Sequence, residues 1–132
     1  MKVLKRNSII LIFIGLLSAA SINYNDASKV AQNTIQSFSP YALQIKEIEA
    51  VTSSGGKNLF YIFHLKPEGF VLVSADNRAI PLLGYSFENN FKLEGAPSNL
   101  NWLIDSYKDY ILNLINSNIT PDEETNQEWA RF

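Results

Sequence analysis

The sequence has 132 residues, 46% of them hydrophobic and 12% aromatic, with no cysteine and a formal net charge of −2 at pH 7. Such a length suits one domain of ordinary size, and the composition fits a packed core and excludes a disordered tail. Without cysteine the chain has no disulfide, no thiol nucleophile and no thiol to carry a lipid, so its stability rests on the core alone.

Lys2, Lys5 and Arg6 open the chain, residues 9–17 are apolar except for Gly15, and Ser18, Ala19 and Ala20 are small. Basic, then apolar, then small is the order of a secretory signal. The apolar run is shorter than the roughly 20 residues that span a bilayer. Residues 1–20 therefore read as a signal peptide cleaved after Ala20, the alternative being an uncleaved N-terminal anchor. Residues 21–132 are the mature domain, periplasmic or extracellular, with no membrane association after cleavage. Removing residues 1–20 takes away three of the 11 basic residues and none of the 13 acidic ones, which leaves a net charge of −5. An acidic surface does not suit a phosphate backbone, so nucleic acid is not expected as a partner.

Asn25 and Asp26 can cap a helix, and Ala27, Val30, Ala31, Thr34, Ile35 and Phe38 then share one side at helical spacing. The reading is a helix over 26–38, stopped by Ser39-Pro40. Residues 43–52 mix β-branched and charged side chains, a strand whose broken alternation predicts a bulge or a mobile edge. Ser53-Ser54-Gly55-Gly56 is a turn. Over residues 59–65, Leu59, Tyr61, Phe63 and Leu65 alternate with Phe60, Ile62 and His64, which predicts a strand. A Pro67-Glu68-Gly69 turn pairs it with a strand over 70–75. After Asp76-Asn77-Arg78 a further strand covers 80–87, and Glu88-Asn89-Asn90 is a turn. The loop from Glu94 to Ser98 leads into the longest helix, begun by Pro97 or Ser98, with an apolar stripe of Leu100, Leu103, Ile104, Tyr107, Ile111 and Leu114 set to pack on the sheet. Thr120 and Glu123 have capping-box spacing for a short terminal helix reaching Trp129. The order predicts an α+β fold: an antiparallel sheet of about four strands packed against an N-terminal and a long C-terminal helix.

Little catalytic chemistry is present. The single histidine, His64, sits inside an alternating strand and reads as a packing or hydrogen-bonding residue, and alone it makes no zinc site. Asp122, Glu123, Glu124 and Glu128 could chelate calcium but more simply favour a helix start. Asp76 and Arg78 can form a local ion pair, and Asn118-Ile119-Thr120 is a sequon followed by proline. No catalytic residue, metal or cofactor is expected. The residues alone describe an exported binding domain, not an enzyme.

Gly69-Phe70-Val71-Leu72-Val73-Ser74, then Asp76 and Arg78, then Leu83-Gly84-Tyr85-Ser86, Phe91 and Ser106-Tyr107 follow one another in an order and spacing that resemble the pro-domain of streptopain-family secreted cysteine proteases. The resemblance covers residues 26–115. In those proteases a catalytic domain with Cys and His follows, whereas this sequence ends at Phe132, so the resemblance implies a stand-alone pro-domain homologue. It implies non-covalent inhibition of a streptopain-like cysteine protease in trans. It also places the loop before the long helix (Glu94, Gly95, Ala96, Pro97, Ser98 and Asn99) against the protease active site. The resemblance aligns Asn99 with a residue that approaches the specificity pocket, the alternative being that Asn99 caps its own helix. Pro97 limits the loop's free conformations and so the ordering cost of binding. Six residues are too few for a specific complex, which typically buries about 1,200–2,000 Å², so Asn77, Arg78, Glu88, Asn89 and Asn90 are expected as secondary contacts. Phe60, Phe63, Phe70 and Tyr85 read as core. A folding chaperone for such a protease, or an exported module binding a small ligand in a pocket between sheet and helices, remain as alternatives.

Overall fold

A computed structural model describes residues 19–132; the expected signal peptide lies outside them except for Ala19 and Ala20. The described chain runs α1 (Tyr24–Phe38), β1 (Gln44–Thr52), β2 (Asn58–Lys66), β3 (Phe70–Ser74), β4 (Leu82–Ser86), α2 (Ser98–Asn116) and α3 (Glu123–Ala130). The four strands form one antiparallel sheet in the order β1-β2-β3-β4, as expected for an α+β fold.

α1 starts two residues before the expected 26–38. Its N-cap is Asn23, whose side chain accepts from the Asp26 N–H at 2.9 Å. Asp26 is therefore inside the first turn, where a carboxylate suits the positive helix end, and it pairs with Lys29 at 2.8 Å. At the far end the Ser39 N–H returns to the Ile35 carbonyl before Pro40 stops the helix.

The central strands are apolar on both sides, so each face of the sheet needs cover. α1 supplies Ala27, Val30, Ala31 and Ile35 to a cluster with Tyr61, Phe63, Leu65, Val71 and Val73. α2 supplies Ile104 and Ile111 to a second cluster with Phe60, Ile62 and Leu72. The helices thus lie on opposite faces, in three layers, and do not share one face. Within the α1 layer the buried Thr34 hydroxyl is satisfied by the Val30 carbonyl at 2.7 Å.

Two bulges shift residues between faces. Val51 faces Phe60 but Thr52 faces Asn58, so Leu59 is the extra residue in β2. It joins the α2 cluster with Phe60 instead of following Tyr61 and Phe63. Leu83 is the extra residue in β4 and likewise packs toward α2, while Leu82 packs toward α1. The bulge expected in the first strand is at Lys46, between Ile45 and Glu47. β1 is an edge strand, and this bulge with the exposed Lys46 and Glu47 protects it from further pairing.

Phe60 and Phe63 are fully buried and Phe70 is partly buried. Tyr85, expected in the core, is 43% exposed. It lies on edge strand β4 beside the end of α1, where cover stops, and it stacks on Phe38 with ring centroids 5.6 Å apart.

α3 docks on its own domain. The Trp129 indole N–H donates to the Ala79 carbonyl at 2.9 Å, and the Phe132 carbonyl accepts from the Asn33 amide at 2.7 Å. Its cap is Asp122, not Thr120, and the Asp122 carboxylate accepts from the Thr125 N–H at 2.7 Å. That hydrogen bond holds the Asp122 carboxyl below its ordinary value of 3.8. A lowered folded-state pKa means a stabilising contribution that is complete above the unfolded value and lost as pH falls through the folded one. Amide exchange at Thr125, corrected for the intrinsic rate, should therefore accelerate in Asp122→Ala, and in the wild type only below pH 3.8. Equal protection at Thr125 across that range would show that the cap does not hold the helix start.

Candidate functional site

The site is built from one end of the sheet. There the β2–β3 turn meets the segment leaving β4, and the Asn90 side-chain oxygen accepts from the Gly69 N–H at 3.1 Å. Phe91 then packs edge-on against Phe70, ring centroids 4.9 Å apart. These two contacts fix where the chain leaves the sheet. The Ser86 hydroxyl accepts from the Asn89 N–H at 3.2 Å and shapes the Glu88-Asn89-Asn90 turn.

From Phe91 the chain forms an outward arch. Glu94, Gly95, Pro97, Ser98 and Asn99 are exposed and Ala96 is partly so. α2 begins at Ser98, with Pro97 in the N-cap position and no side-chain cap. Ser98 and Asn99 are thus the first helical residues, and the irregular part of the arch is Glu94 to Pro97. The Pro97 carbonyl accepts from the Leu100 and Asn101 N–H groups, each at 3.0 Å. The Asn101 amide reaches back to the Ala96 carbonyl at 2.9 Å and ties arch to helix.

α2 is held on the sheet by Tyr107, whose hydroxyl donates to the Leu83 carbonyl at 2.7 Å and whose ring packs edge-on to Phe60 at 6.2 Å. Burial pushes the Tyr107 hydroxyl above its ordinary pKa and keeps it a donor. The Leu83 carbonyl is available to it because the bulge turns that residue toward α2. The arch therefore projects from a helix whose register is set by a part-buried hydrogen bond.

The opposite end of the sheet holds Asn77 and Arg78. Asp76 is 3% exposed. The Arg78 guanidinium grips its carboxylate through Nε at 2.8 Å and one terminal nitrogen at 2.9 Å, and the other donates to the Ile115 carbonyl at 3.2 Å. This is the local ion pair expected of these residues, held at two points with side chains 11% and 5% exposed. Asn77 accepts from the Ala20 N–H at 2.7 Å and donates its own N–H to the Ala20 carbonyl at 3.0 Å. Of the expected secondary contacts, the structure brings Glu88, Asn89 and Asn90 to the arch end and sets Asn77 and Arg78 at the other.

His64 is partly buried and its Nε2 is 3.1 Å from the Glu49 carboxylate, a cross-strand contact. Among the described residues no group of three or more His, Cys, Asp or Glu side chains could hold a metal ion. No helix among them is long and apolar enough to cross a membrane. Both helix–sheet interfaces are filled: Phe60, Ile62, Phe63, Val71, Leu72 and Ile111 are at most 2% exposed. A groove of about 610 Å³ lies outside those layers, beside Ala19, Ala20, Ser21, Lys57 and the paired Asp76 and Arg78.

The residues that carry the pro-domain resemblance are mostly scaffold. Gly69 and Phe91 set the exit of the arch, Tyr107 sets the helix, and Asp76 with Arg78 closes the far end. Trp102, exposed next to the arch, lies opposite the buried Ile104 and Ile111, and the stripe gives its side of the helix but no role for it.

No curated protein and no solved structure matches the chain significantly. A family model described as Spi protease inhibitor matches residues 19–111, from the N-terminal segment bonded at Asn77 through most of α2. The chain belongs to the Spi protease inhibitor family.

Proposed function

We propose that this inhibitor acts on a streptopain-like cysteine protease, as a stand-alone pro-domain homologue, by filling the active-site cleft non-covalently with residues 94–99. The carrying observation is the exposed arch at the mouth of a helix locked by Tyr107. Such an element is pre-organised, so binding costs little further ordering. With no thiol on the chain, inhibition is by occupancy and reversible. The turn of Glu88, Asn89 and Asn90 lies at the same end and extends the contact.

Protein purified without residues 1–20 should inhibit a streptopain-type cysteine protease from the same genome at one-to-one stoichiometry and be recovered uncleaved. Asn99→Ala and Pro97→Gly should each raise the inhibition constant about tenfold or more, the range of a moderate interface contact. Their melting temperatures should stay close to that of the wild type, because both side chains are exposed. Absence of inhibition at micromolar protein would reject the reading. Loss of stability with potency retained would reject the placement of the arch.

A further inference from the structure

Trp102 is 71% exposed, more than Phe38 at 53% or Tyr41 at 56%. Phe38 stacks on Tyr85, and Tyr24 packs on Tyr61. Among the described residues the Trp102 ring has no such partner. An indole buries about 150–250 Å² when it finds one, and Trp is the residue type most enriched among dominant interface contacts.

Its position gives it an occupant. Trp102 follows Asn101, whose amide is bonded to the arch carbonyl of Ala96. It stands three residues after Asn99, so the two share one exposed face of α2 a single turn apart. Asp109, also exposed, continues that face, and Asp105 beside it pairs with Lys108 at 3.6 Å. The arch alone is too small for a specific complex, and the structure sets Asn77 and Arg78 at the other end of the sheet. The missing area must lie beside the arch, where Trp102 adds to what the Glu88-Asn89-Asn90 turn supplies.

We propose that Trp102 is the main anchor of the inhibitor on its target protease. It would seat its indole in an apolar slot beside the cleft, bordered by positive charge that faces Asp109. This rests on the reading that residues 94–99 meet the protease. It assigns to the first two turns of α2, and not to the arch alone, most of the binding energy.

The test uses wild type, Trp102→Ala and Trp102→Phe against the same streptopain-type protease. Trp102→Ala should raise the inhibition constant about 30-fold or more, beyond Asn99→Ala, with an unchanged melting temperature. Trp102→Phe should recover part of the loss. The chain has two tryptophans. In 5-fluorotryptophan-labelled protein the Trp102 fluorine resonance should shift on adding unlabelled protease, while that of Trp129, bonded to Ala79, should keep its position. An unchanged inhibition constant for Trp102→Ala beside a potent wild type overturns the anchor and leaves the inhibitor reading standing. A wild type that does not inhibit removes both. If sedimentation shows a dimer of the free chain that Trp102→Ala abolishes, the face belongs to a second copy and the proposal fails.

Discussion

Asp76→Ala should be among the most damaging single substitutions in the domain, costing about 3–5 kcal/mol, the usual result of stripping one partner from a buried ion pair. The Arg78 side chain is 11% exposed and would keep its charge with no counterion. The loss spreads further, because the Asp76 carboxylate also accepts from the Arg78 N–H at 3.0 Å. The turn it shapes bridges Asp76 to Ser21 and presents Arg78 to the end of α2 through Ile115 and Ala79 to Trp129. An N-terminal segment, α2 and α3 are all fastened there. Urea unfolding should show a midpoint shift several times larger than that of Lys29→Ala, whose pair with Asp26 is exposed. Replacing both partners by apolar residues, as in Asp76→Leu with Arg78→Met, should recover much of the loss, since no charge is then buried alone. The protein that remains folded at low temperature should still inhibit, because this turn is at the far end of the sheet from the arch. A cost of less than about 1 kcal/mol for Asp76→Ala would return the pair to the surface class.

Local pattern made the sheet and both main helices readable. The stripe from Leu100 to Leu114 faces the sheet, and the alternation of β2 gives its two faces over Phe60 to Leu65. Alternation failed at Leu59 and Leu83 because each bulge residue sits beside another apolar residue, and the sequence reads equally well in either register. The face that each helix covers was not legible either, since it depends on the path of the connections and not on the helix itself. Asp76 and Arg78 look like an ordinary polar turn. They become buried because Ser21, Ile115 and Trp129 arrive from 55, 37 and 50 positions away to meet Asp76, Arg78 and Ala79. The pro-domain resemblance points to residues 94–99, which the structure leaves exposed, but the residues that carry it report on scaffold. They carried no information about Trp102, which helical spacing puts opposite the buried Ile104 and Ile111.

Gly69→Ala should destabilise by a comparable amount and, unlike Asp76→Ala, should also impair inhibition. Gly69 has φ +113°, a conformation that side-chain-bearing residues rarely adopt. A Cβ there would lie 2.7 Å from the Ser86 carbonyl oxygen and 3.1 Å from the Phe87 Cα, both of them backbone atoms that cannot rotate away. The dihedral alone costs about 1–3 kcal/mol, and the clash adds to it by forcing the β2–β3 turn away from the segment that leaves β4. That segment carries Asn90, which bonds to the Gly69 N–H, and then leads to Phe91 and the arch. Displacing it moves residues 94–99 relative to α2, so the inhibition constant should rise even where circular dichroism shows the protein fully folded. Gly56→Ala separates the two causes. Gly56 has φ +82°, but a Cβ there would meet nothing within 4 Å, and it lies in the β1–β2 turn at the other end of the sheet. It should show the dihedral cost alone, with potency intact. If Gly56→Ala and Gly69→Ala lose equal stability and both inhibit normally, the turn at Gly69 does not position the arch, and the path from scaffold to site must run through α2 and Tyr107 alone.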